Sequence, residues 1–150
     1  MALIDLLALP SSGPLIGIDP GSKTLGIAAS DDLRLIASPV QTIQRTKLAK
    51  DLDALFTLYD ERDAVGFVCG LPLNMDASEG PRAQSARAFV RNILKTRDVP
   101  IAFQDERLST AQANRAMLDA DLSRARRAAL IDASAASVIL QTALDRLANN

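Results

Sequence analysis

Leu15-Ile16-Gly17-Ile18-Asp19-Pro20-Gly21-Ser22-Lys23-Thr24-Leu25-Gly26-Ile27-Ala28-Ala29-Ser30 reads as a hydrophobic strand ending on an acid, a tight turn, and a returning strand. Ile16 and Ile18 carry the β-propensity before the turn, and Ile27 carries it afterwards. Pro20-Gly21 makes the break, because proline pre-sets φ and glycine accepts φ > 0. Asp19 therefore stands where a buried strand ends. A carboxylate there must be paired, hydrogen-bonded or bound to a cation, since an unpaired buried charge is too costly. That makes Asp19 a candidate metal ligand, and the rest of the chain is read for partner carboxylates.

Asp31-Asp32 turns the chain, and residues 34–43 suggest a third strand whose Pro39 belongs at an edge or a bulge. A first helix is expected over 46–60, where Leu48, Leu52, Leu55, Phe56 and Tyr59 share one face. Residues 64–70, continuously apolar through Cys69 and Gly70, suit a strand buried on both faces. The loop 71–81 has no period and is rich in Pro, Asn, Asp, Ser and Gly. A second helix follows over 82–96, with Ala86, Phe89, Val90, Ile93 and Leu94 inward and Arg87, Arg91 and Lys95 outward. Residues 101–106 read as a strand, Ser109 caps a third helix to about Ala120, and a fourth spans about 129–147. The order βββ-α-β-α-β-α-α predicts an α/β domain over 14–150. A meander plus parallel crossovers would give it a mixed five-stranded sheet flanked by helices. Sites in such sheets form outside the strand ends where direction or order switches. Residues 1–13 are expected to be a loosely attached leader.

Composition narrows the chemistry. With 150 residues, 48% hydrophobic and 23% charged, the chain fits one ordinary globular domain. Its net charge of -1 excludes a globally basic nucleic-acid binder, so polyanion contact requires a local patch. Histidine is absent, which removes histidine triads, bases and imidazole ligands. The single cysteine, Cys69, precludes an internal disulfide, is compatible with a reducing cytoplasm, and lies in an apolar run without a base partner. No apolar run is long enough to span a bilayer, and no signal peptide is read, so no membrane partner is expected.

Three acids stand at comparable places: Asp19 and Glu106 at strand ends, and Asp132 near the start of the last helix. Asp132 shares a helical stripe with Ala136, Ile139 and Ala143. Singly, each has a plain explanation: a turn-forming Asp, a solvated strand end beside Arg107, a dipole-stabilised acid in a first helical turn. Carboxylates converging from separate elements, with no histidine, suit hard cations such as Mg²⁺ or Mn²⁺. Two such ions about 4 Å apart activate water and stabilise the leaving oxygen in phosphodiester cleavage. Candidate nucleic-acid contacts are Ser22 and Lys23 in the small-residue turn, Asn74 and Arg82 around the loop, Arg107, and the group Arg124, Arg126 and Arg127. The turn lacks Walker A spacing. One Tyr, four Phe and no Trp make base stacking a poor primary mode of recognition.

Four segments carry a resemblance: Ile18-Asp19-Pro20-Gly21-Ser22-Lys23; Gly70-Leu71-Pro72-Leu73-Asn74-Met75-Asp76 with Ser78-Glu79-Gly80-Pro81; Asp105-Glu106-Arg107-Leu108-Ser109-Thr110; and Asp132-Ala133-Ser134-Ala135-Ala136 with Ile139-Leu140-Gln141. In order and spacing they resemble the motifs of the YqgF family, also called RuvX-like, in the ribonuclease H-like superfamily. The resemblance covers residues 14–147. It implies a ribonuclease H-like fold and a metal-dependent nuclease with Asp19, Glu106 and Asp132 as catalytic, metal-binding acids. It also implies a bacterial, cytoplasmic role in maturing the 5′ end of precursor 16S ribosomal RNA. Cleavage of four-way DNA by a dimer is the alternative, although this chain offers three clear acids where junction resolvases show four. A non-cleaving RNA-binding assembly factor is the reading from another class. Asp105 adjoins Glu106, and neighbours on a strand face opposite ways, so one of the two is the ligand. Monomer and homodimer both remain open at this point.

Overall fold

The computed structural model describes residues 5–105 and 124–148, with side chains in the second span from Ala135 onward. Five strands form one sheet: β1 (Leu15–Pro20), β2 (Thr24–Ser30), β3 (Ala37–Gln44), β4 (Gly66–Leu71) and β5 (Ile101–Asp105). Their spatial order is β3-β2-β1-β4-β5. The β1–β2 and β2–β3 pairs are antiparallel, and β1–β4 and β4–β5 are parallel. Helix α1 (Leu48–Glu61) joins β3 to β4, α2 (Pro81–Thr96) joins β4 to β5, and α3 (Arg124–Ala148) ends the described chain. The mixed sheet is the one expected from the meander and crossovers. The expected third helix at 109–120 lies outside the described residues. Among the described residues no helix is long and apolar enough to cross a membrane.

Strand alternation sorts the core into two unlike layers. Ile16, Ile18, Leu25, Ile27, Phe67, Cys69 and Ile101 pack with α1 and α2, which contribute Leu55, Phe56, Tyr59, Phe89 and Ile93. Each such fully buried aliphatic or aromatic side chain contributes about 1.5–3 kcal/mol relative to exposure. The opposite face carries Leu15, Gly17, Ala28, Val68 and Ala102 and meets Ala136, Ile139, Leu140 and Ala143 of α3. Small residues on both partners bring this helix close. A Cβ on Gly17 would stand 2.8 Å from Leu140 Cβ and 3.1 Å from the Ala136 carbonyl.

Helix α3 is helical from Arg124 rather than from about 129, so Asp132 lies two turns into it and not in its first turn. Three further local features depart from the sequence reading. Strand β3 starts at Ala37 rather than 34, because the Asp31 carboxylate accepts the Leu35 and Ile36 amides at 2.8 and 2.9 Å and makes 34–36 a turn. Arg34 takes φ 59° there. Gly21 does not use positive φ; among the described glycines only Gly13 does. Glycine is needed at 21 because a Cβ would sit 2.7 Å from the Thr24 carbonyl. The segment before the sheet packs from Leu6 onward, with Leu6 and Leu9 buried against the α3 layer. Arg34 donates to the Gly13 and Pro10 carbonyls at 2.7 and 2.5 Å and ties that segment down.

Candidate active site

The parallel strands β1, β4 and β5 all end at one edge of the sheet, and Asp19 and Asp105 stand there. Alternation decides which face each residue takes. Leu15 and Gly17 face α3, so Asp19 follows them onto the α3 face, where it is half-buried. On β5, Ala102 and Gln104 take the α3 face; Gln104 accepts Arg146 of α3 at 2.9 Å. Asp105 therefore lies on the α2 face, opposite Asp19. Glu106 and Arg107 lie outside the described residues. Asp132 and Arg124, Arg126 and Arg127 are on α3, in the part whose side chains are not described. The backbone still relates Asp132 to Asp19. Helix α3 crosses β1 at Gly17, touching it through Ala136 and Leu140. Asp19 is two strand positions from that crossing, about 7 Å. Asp132 is one helical turn before Ala136, about 6 Å. Among the described residues no three acids or cysteines gather as a metal cage.

Beside the acid edge lies a cleft of about 490 Å³, lined by Pro20, Gly21, Ser22, Lys23, Thr24, Arg45, Pro81, Arg82 and Ser85. It unites three of the expected contacts, Ser22, Lys23 and Arg82, with Arg45 and Ser85, which the sequence reading passed over. Arg45 sits just past β3, in a stretch with no period to single it out. Its backbone amide donates to the Lys23 carbonyl at 2.9 Å, and its guanidinium donates to the Gly21 carbonyl at 2.7 Å. The guanidinium also lies 5.1 Å from the Phe89 ring centroid and 3.8 Å from the buried Asp51 carboxylate. Asp51 in turn accepts the Thr46 amide at 3.0 Å, in the first turn of α1. The turn after Asp19 is thus held from two other elements.

The 72–80 loop is tied to itself and to α2. Asn74 donates to Ser78 at 3.0 Å, and Ser78 donates to Asp76 at 2.6 Å, so the Asn74 amide serves the loop's own hydrogen bonds. Arg87, read from sequence as an outward residue, clasps Glu79 with two bonds of 2.6 and 2.8 Å and lies 5.0 Å over Phe103. The Arg87 hydrogen bonds hold the Glu79 carboxyl below its ordinary 4.5, and the same contact raises the Arg87 pKa. A lowered carboxyl pKa makes the clasp complete above the ordinary value and loses it as pH falls through the lowered one. The protection factors of the 74–79 amides, which remove the intrinsic pH dependence of exchange, are therefore expected to fall on acidification below that range. Glu79→Gln should show the reduced protection already at neutral pH; equal protection in both proteins would remove the clasp from the account of this loop.

A family model described as RuvX, Holliday junction resolvase, matches residues 13–146. A "Putative pre-16S rRNA nuclease" of Rhodobacter capsulatus is 61% identical over 95% of this chain and 89% of its own. A protein of the same name from Phenylobacterium zucineum is 53% identical over 99% of each. Among solved structures, Thermus thermophilus RuvC superposes with TM-score 0.54 at 15% identity, covering 90% of this chain and 96% of that one. The same protein in complex with Holliday junction substrate gives 0.53 at 14% identity, with the same coverage. At such identity these structures speak for the fold alone, which is ribonuclease H-like. A model match across nearly the whole length, with relatives above half identity, fixes the assignment: the chain belongs to the RuvX family, the YqgF family that its four motifs resemble.

Proposed function

We propose that the chain is a divalent-metal-dependent nuclease that hydrolyses phosphodiester bonds in structured RNA, with precursor 16S ribosomal RNA as substrate. The observation that supports this reading is the α3 crossing at Gly17, two strand positions from Asp19 on β1 and one helical turn from Asp132 on α3. Alternation along β5 assigns Asp105 to the far face, which favours Glu106 as the third acid. The donors are all carboxylate oxygens; the chain has no histidine, and Cys69 is buried in β4 with its thiol on the Gly70 carbonyl. Such a set fits Mg²⁺ or Mn²⁺ rather than zinc. Bound there, those ions would supply water activation and charge stabilisation at the leaving oxygen. Asp19, Glu106 and Asp132 would hold them, and Lys23 and Arg82 would fix the nucleic-acid backbone beside them. The names of the relatives support RNA as substrate.

A junction-cleaving reading is favoured by the family model's description. It requires a two-fold dimer for symmetrical cuts. The test is incubation with Mn²⁺ and either a precursor 16S leader RNA or a synthetic four-way junction. Cleavage of the RNA, abolished by EDTA and restored by Mn²⁺ or Mg²⁺, is the expected result. Cutting of the junction alone would transfer the assignment to the second reading. Tight RNA binding without cleavage at any divalent ion would leave a binding protein.

A further inference from the structure

We propose that the cleft between the β1–β2 turn and the first turn of α2 is a phosphate subsite, and that Arg45 is one of its ligand-contacting residues. It would hold a non-scissile backbone phosphodiester of the nucleic acid next to the acid edge. The lining sets the ligand class. Among the described residues it contains three cations, Lys23, Arg45 and Arg82, and neither a carboxylate nor an aromatic ring. The described lining offers a cation no carboxylate and a nucleobase no stacking face, whereas it offers a phosphate charge-assisted donors from three separate elements. The α2 end adds to this. Its N-cap is Gly80 with no side-chain cap, Pro81 opens the helix, and Pro81, Arg82 and Ser85 line the cleft, so the positive end of the helix dipole borders it.

Arg45 is the element that builds the subsite. Its hydrogen bond to Gly21 and its seat over Phe89 preset the guanidinium, so little side-chain freedom is lost when an anion arrives. The cleft begins at Pro20, the residue after Asp19, so a strand gripped here enters the acid edge in a fixed register. Contacts of this kind read the backbone and not the sequence. The subsite rests on the nuclease reading for its placement but not for its detection, because binding is measured without metal.

The test uses the full chain in EDTA and a fluorescein-labelled 12-nucleotide single-stranded RNA of mixed sequence, with anisotropy read across a salt series. Arg45→Gln is expected to weaken binding roughly tenfold and to lower the slope of log K against log salt by about 0.7, one single-strand phosphate contact. Arg45→Lys should keep the slope and lose part of the affinity. Since Arg45→Gln also removes a structural contact, Ser85→Glu is the deciding variant. It puts a carboxylate in the cleft from an exposed position near a helix start, where acids are tolerated, and should weaken binding at least as much with an unchanged melting midpoint. Wild-type affinity and slope in folded Ser85→Glu overturn the proposal. Asp19→Asn should keep the slope, so a dead nuclease with an intact slope separates failure of the acid assignment from failure of the subsite.

Discussion

Asp19→Asn is expected to lower the cleavage rate by roughly a thousandfold or more while moving the melting midpoint by less than about 3 °C. The amide keeps the shape of the carboxylate and removes its charge, so the packing of β1 under α3 has little reason to change. The loss falls on whatever the charge was holding. On the reading above that is a divalent ion shared with Glu106 and Asp132, so Mn²⁺ affinity by calorimetry should fall in parallel with the rate. Binding of leader RNA in EDTA should persist. A variant that still cuts at more than a tenth of the wild-type rate would remove Asp19 from the centre of the chemistry. One that loses cleavage only because it has unfolded would show it in the melt.

The second large effect belongs to Gly17→Ala. The added methyl meets a side-chain carbon at 2.8 Å and a backbone carbonyl at 3.1 Å, and the carbonyl is fixed in the α3 ladder. Strand and helix must separate by several tenths of an ångström. Overpacking of this sort costs about 1–3 kcal/mol. For a chain of this size that is a drop of roughly 3–10 °C in the midpoint. Activity should fall further than the lost stability explains, measured at 25 °C where the variant remains folded. The same displacement moves the helix that carries Asp132 away from the strand that carries Asp19, and an ångström of misplacement costs about a hundredfold. A Gly17→Ala protein with wild-type midpoint and rate would show that the contact has slack.

The order of elements was legible because each wrote a period into the sequence. Leu52, Leu55, Phe56 and Tyr59 fall at helical spacing, and all four are buried against the sheet. The unbroken apolar run at Cys69 marks a strand covered on both faces, as β4 is. Asp19 could be singled out because a carboxylate at the end of such a strand is conspicuous. Gly17 could not: it reads as one more small residue in a strand, and its value lies in a helix over a hundred positions later. Arg45 was missed for the same reason. A lone arginine after a strand carries no pattern, and only folding brings it to the Gly21 carbonyl and the Phe89 ring. Leu6 and Leu9 are too few to show a period, so their burial had no local signature. The side of the sheet that Asp105 takes could not be read until the Gln104 contact with Arg146 fixed the phase of β5.

The placement of α3 also bears on the order in which the protein is made. Strands β1 and β2 leave the ribosome early and wait, with Leu15, Gly17 and Ala28 bare on one side, until the closing helix is synthesised. Helices α1 and α2 can cover the other side as they emerge, since they lie between the strands they bridge. A nascent chain halted before α3 would therefore be a half-covered sheet, prone to association through its naked layer and lacking Asp132. On the proposed role of Asp132, cutting of nucleic acid would then be withheld until translation has passed the closing helix.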